Sequence, residues 1–112
     1  MAEYFERKDL EDFSNGRLGE HGKDLWDKFL GYYGPVFQEG KLTTREKNLI
    51  ALAVAHAVSC PYCIEAYTTA CLESGYTTEQ MMEAVHVAGA ITGGAVLAHG
   101  VQMTKLAEEF EF

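Results

Sequence analysis

Apolar residues recur along this chain at helical spacing and nowhere alternate with polar ones at the period of two that marks a half-buried strand. The pattern predicts an all-α fold, a compact bundle of about five to six helices forming one domain over residues 1–112. A short helix covers about residues 8–14. A second runs from about 20 to 33, where Leu25, Trp26, Phe29, Leu30, Tyr32 and Tyr33 supply a broad apolar face. Gly34-Pro35 is expected to end it, because proline has no amide proton for the helical ladder. Thr43-Thr44-Arg45-Glu46 reads as a capping box, in which Thr43 caps the first amides and Glu46 reaches back. That third helix runs to about Val58, with Leu49, Ile50, Ala53, Val54 and Ala57 facing inward.

Ser59-Cys60-Pro61 resets the chain. Proline suits the first helical position, so Cys60 becomes the cap of a central helix and Cys63 falls in its first turn. Ser74-Gly75 is a plausible left-handed end to that helix. Thr77-Thr78-Glu79-Gln80 repeats the capping box and opens another helix, expected to kink or break near Gly93-Gly94. A last helix carries Val96 to about Glu109. Residues 84–101 have no formal charge and barely the length to cross a bilayer. Their Ala, Gly and His content favours a buried helix pair over a membrane span.

Composition adds limits. The chain has 112 residues and a formal charge of −8. From Asn48 to Thr104 there is no Lys or Arg, while Glu65, Glu73, Glu79 and Glu83 lie in that span. Such a surface repels a phosphate backbone, so no nucleic-acid partner is expected. Three cysteines and a charged beginning, MAEYFERKDLEDF, predict no secretory leader and no disulfide scaffold. The expected location is the cytoplasm, where a CxxC pair is catalytic or metal-binding more often than structural.

Cys60-Pro61-Tyr62-Cys63 is therefore the main chemical feature. A thiolate is the nucleophile, and a helix N-terminus or a nearby cation lowers a thiol pKa. No Lys or Arg lies near in sequence, which leaves the helix end, a histidine or a carboxylate as activator. His56 precedes Cys60 by four residues, although the break at Ser59–Pro61 interrupts a shared helical face. Tyr67 follows Cys63 by four on the same helix, so those side chains are neighbours. Cys71 lies eight past Cys63, roughly 12 Å along a helix. It is too far for a disulfide there and reads as a small buried hydrophobe. Structural zinc is disfavoured because there is no second CxxC. Glu46 is explained by capping. His86 and His99 are flanked by apolar residues, and Tyr32, Tyr33 and Trp26 read as core aromatics.

The stretch LTTREKNLIALAVAHAVSCPYCIEAYTTACLESG resembles the carboxymuconolactone decarboxylase superfamily in its alkyl hydroperoxidase D-like branch. The likeness extends through TTEQMMEAVHVAGAITGGAVLAHGVQM and covers about residues 26–105. YYGPVFQEGKLTTREKNLIALAVAHAVSCPYC is further similar to peroxidase-like proteins associated with arsenosugar biosynthesis. The resemblance implies a helical homotrimer or homohexamer. It also implies a cofactor-free cycle in which Cys60 and Cys63 reduce a hydroperoxide, become a disulfide and are restored by a dithiol reductant. On that pattern Cys63 meets the peroxide. No metal is implied.

Two positions depart from the branch. Its usual histidine, four residues after the second cysteine, is Tyr67 here, and its usual glutamate, twelve before the first, is Asn48. Tyrosine is a weak base at neutral pH and asparagine carries no proton. Replacements for the relay are His56, Glu46, or His86 or His99 from the last helices. The catalytic candidates are thus Cys60, Cys63, His56, Glu46 and Tyr67. The competing readings are a thiol site for a soft metalloid such as arsenite, with Cys71 or a subunit-related sulfur as third ligand, and a scaffold that keeps an unused site.

Overall fold

Each predicted cap is realised, and the caps set the element boundaries. The computed structural model describes residues 6–110. The expectation of no leader rests on the first residues, which lie partly outside that range, as do the two ends of the expected 1–112 domain. The order is α1 (Lys8–Ser14), a 3-10 turn (Arg17–His21), α2 (Lys23–Val36), α3 (Thr44–Ala57), α4 (Pro61–Glu73) and α5 (Thr78–Glu109). No strand occurs among the described residues.

Local chemistry explains the joints. Thr43 and Glu46 exchange the two hydrogen bonds of a capping box at the start of α3, and Thr77 and Gln80 do the same for α5. Ser59 takes a left-handed φ of 54°, which turns the chain sharply between α3 and α4. The Cys60 amide then donates back to the Ala55 carbonyl at 3.0 Å. Gly75, with φ 88°, closes α4 in the conformation that a side chain disfavours.

The core lies where α3, α4 and the start of α5 meet. Leu52, Cys71, Tyr76 and Met81 form it, with Leu49 and Tyr67 packed against it. Cys71 is fully buried and takes the role of a small hydrophobe. Arg45 closes one side, its guanidinium 3.8 Å from the centre of the Tyr76 ring and its Nε donating to the Ser74 carbonyl at 2.9 Å.

Five expectations are corrected. Pro35 does not end α2 at Gly34, since the helix reaches Val36. Proline clashes with the Cβ of the residue before it, and Gly34 has none. The fixed φ of Pro35 is itself helical. The glycines at 93 and 94 neither kink nor break the last segment into two helices: α5 is a single helix of 32 residues. Each glycine costs only about 1 kcal/mol against alanine, and no proline interrupts the ladder.

The buried face of α3 is Leu52 and Ala55, not Ile50, Val54 and Ala57, which are exposed. On α2 only Trp26 is buried, seated against Gly19, where a Cβ would come within 2.9 Å of the indole. Residues 84–101 are not a buried pair either. By length and composition α5 is apolar enough to cross a membrane, and almost none of its most apolar stretch is buried in the chain. These faces share one physical cause: helical periodicity marks an apolar face without saying whether the same chain covers it.

Candidate functional site

Cys60 occupies the N-cap of α4, and its Sγ accepts the Cys63 amide hydrogen at 3.2 Å. A sulfur therefore sits where a capping oxygen usually would, at the positive end of the helix. Pro61 begins the helix and Cys63 lies in its first turn. Both thiols are free and half-buried.

Beside them is a cavity of about 670 Å3. Cys60, Cys63, Ala66 and Tyr67 of α4 form one wall, and Phe29 and Tyr33 of α2 form another. Leu10 and Phe13 of α1 and Leu18 of the 3-10 turn add apolar surface, while Lys8, Asp9, Asp12 and Arg17 bring charge to the same opening. The short helix α1 is fastened over α4 at two points. Tyr62, which lies between the two cysteines, donates its hydroxyl to Asp9 Oδ2 at 2.9 Å. Arg7 pairs with Glu65 at 2.7 Å.

A row of aromatic rings runs along α2 and meets the cavity at both ends, at Phe13 and at Tyr67. Successive centroids from Phe13 through Trp26, Phe29, Tyr33 and Phe37 to Tyr67 are separated by 5.0, 6.0, 5.5, 5.2 and 5.2 Å. These spacings are those of packed aromatic pairs, and the Phe37–Tyr67 stack links the row to α4. At the thiol end the Tyr33 and Tyr67 hydroxyls are hydrogen-bonded to each other.

Burial, then the hydrogen bond to Cys60 and the charge that Cys60 can carry, push the Cys63 thiol up to about 11. Cys63 thus keeps its proton at neutral pH. Burial and the bond to Tyr33 push the Tyr67 hydroxyl well above the ordinary phenol range. It is held as a neutral phenol and takes no proton from a thiol at neutral pH.

The other candidates lie elsewhere. Glu46 is exposed and accepts from the Thr43 amide at 2.9 Å and hydroxyl at 3.0 Å, bonds that hold its carboxyl below the usual range. His56 donates from Nδ1 to the Leu52 carbonyl at 2.8 Å. Neither lines the cavity, and neither do His86 or His99, which are exposed on α5. Asn48 donates to Ser74 Oγ at 3.1 Å, away from the thiols. Among the described residues no three His, Cys, Asp or Glu side chains gather as a metal-binding group, and Cys71 stays in the core.

The structure thus brings together Cys60, Cys63 and Tyr67 of the five candidates. It adds Tyr33, read from sequence as a core aromatic, and the Tyr62–Asp9 contact. Those partners are 34 and 53 positions apart, so no local pattern could pair them.

Residues 23–106 match the carboxymuconolactone decarboxylase family. A curated relative, described as uncharacterized protein 4 in the cox locus of Paracoccus denitrificans, is 38% identical over 96 residues, covering 86% of each chain. A crystal structure of a protein from Methanobacterium thermoautotrophicum superposes with a TM-score of 0.72 at 33% identity, over 75% of this chain and 94% of that one. Sequence and fold agree: the chain belongs to the carboxymuconolactone decarboxylase family, which includes alkyl hydroperoxidase D-like members.

Proposed function

We propose that the protein is a thiol-dependent peroxidase and disulfide oxidoreductase that works through a Cys60–Cys63 dithiol/disulfide cycle. The observation that carries this reading is the pair itself. Two free thiols share the first turn of one helix, open to an apolar cavity, with the Cys63 amide aimed at the Cys60 sulfur.

The asymmetry of the pair suggests an order. Cys63 retains its proton, while the Cys60 sulfur accepts an amide hydrogen at the start of the helix, so Cys60 is the thiol assigned the attack. The Cys60 thiolate attacks the terminal peroxide oxygen, forming a sulfenic acid as the O–O bond breaks. The Cys63 sulfur then attacks the Cys60 sulfur, and hydroxide leaves with the Cys63 proton as water. One disulfide and one alcohol result, and a dithiol reductant returns the two electrons by exchange. This order reverses the one that the family resemblance implies. The cycle uses no cofactor.

The partners proposed with it are a hydroperoxide, a dithiol and further copies of the chain, as a homotrimer or homohexamer in the cytoplasm. Further copies would cover α5, whose Ile91, Val96, Leu97 and Val101 are exposed in the single chain.

The test is turnover of a hydroperoxide with a dithiol such as dihydrolipoamide. Cys60→Ser and Cys63→Ser are each expected to abolish it, while Cys71→Ser keeps it. Wild-type rates in either of the first two variants would sink the thiol cycle.

A further inference from the structure

We infer that Tyr67 is the proton donor to the departing oxygen of the peroxide, with Tyr33 positioning its hydroxyl. The inference rests on the peroxidase reading and deepens it. Thiolate attack on R–O–O–H forms an S–O bond to the terminal oxygen and expels RO−, a strong base. An alkoxide leaves slowly unless a proton reaches it as the O–O bond breaks, so the step needs an acid beside the sulfur.

Three observations place that acid. Tyr67 stands one helical turn from Cys63 on α4, and its ring lines the same cavity as both thiols. Its hydroxyl is bonded to that of Tyr33, which reaches the site from α2. Stacking on Phe37, with centroids 5.2 Å apart, fixes the ring plane. A phenol so held is neutral at physiological pH and has a proton to give. Although burial weakens it as an acid, it remains a stronger acid than a simple alcohol, so transfer to RO− still runs downhill. The other candidates for a relay, His56, Glu46, His86 and His99, have no place in the cavity.

The protons balance. Tyr67 gives its proton to RO−, which leaves as ROH, and becomes a phenolate bonded to Tyr33. Tyr33 is partly exposed, so the pair recovers one proton from solvent. That proton makes up for the one Cys60 released before attack. The electrons come from the two sulfurs and, through the disulfide, from the dithiol.

The experiment varies the leaving group. Cumene hydroperoxide expels an alkoxide and needs the acid, whereas peroxybenzoic acid expels benzoate and does not. Tyr67→Phe keeps the ring that stacks on Phe37, and it is expected to lower kcat/KM for cumene hydroperoxide about 100-fold. The loss with peroxybenzoic acid should be less than about threefold. Tyr33→Phe leaves the Tyr67 hydroxyl in place and should show a smaller loss with the same dependence on leaving group. Its exposed side chain also makes it a variant that folds if Tyr67→Phe does not.

An equal loss with both peroxides would show that the hydroxyl acts on the fold of the site, and no loss with either would remove it from the reaction. Both overturn the inference and leave the thiol cycle standing. Absence of turnover by the unmodified protein with either peroxide overturns the thiol cycle and the inference with it.

Discussion

Cys60 and Cys63 are three positions apart but differ in what surrounds each sulfur. Cys60 Sγ receives an amide hydrogen, while the Cys63 thiol is desolvated and pushed to about 11. An alkylating reagent reacts with thiolate, so reduced protein treated with iodoacetamide at pH 8 is expected to be modified at Cys60 first. Cys63 should become reactive only as the pH approaches 11. Peptide mass mapping reads the order, and early labelling at Cys63 would contradict it.

The same shift links to folding. Between the ordinary value of 9.0 and about 11, folded Cys63 is neutral while the unfolded chain has lost the proton. Its contribution is full below pH 9 and is lost as the pH rises to 11. At this scale the caps were legible, because Pro61 at the first helical position left Cys60 one role. The Tyr33–Tyr67 bond was not, because it joins two helices whose docking depends on a row of rings from three elements.

The elements follow local rules where backbone chemistry decides and depart from them where packing does. Thr43 satisfies an amide at the start of α3 and holds Glu46 in return. Thr43→Ala should therefore lower unfolding stability by about 1 kcal/mol. The change would be seen as a lower denaturant midpoint at unchanged m-value, and an unaltered midpoint would mean that the box adds nothing. This places Glu46 in the fold and outside the chemistry. The expected ends at Pro35 and Gly93-Gly94 were overridden because the penalties there are local and small. Gly34 removes the clash that proline needs to stop a helix, and two glycines do not outweigh the continuous ladder of α5.

The whole molecule is long for its chain. Its radius of gyration is 18.8 Å, against about 13 Å for a closely packed chain of this length. The difference lies in α5, which extends past the bundle with its apolar residues exposed. The unpartnered faces of α3 and α5 are what single-chain periodicity could not interpret, since the pattern for an interface and for a core is the same. If further copies cover α5, Leu97→Asp at its 77% exposed position should turn the assembly into 12.4 kDa monomers in analytical ultracentrifugation. The wild-type chain should sediment as a trimer or hexamer. A wild-type monomer would contradict the assembly without touching the thiol pair.

The thiol cycle is tested most directly in a single turnover. Fully reduced protein is mixed with one equivalent of hydroperoxide, and the disulfide is mapped by peptide mass spectrometry. The predicted result is one bond linking Cys60 to Cys63, with Cys71 still free. Thiols that all survive the peroxide, or a bond that engages Cys71, would contradict it.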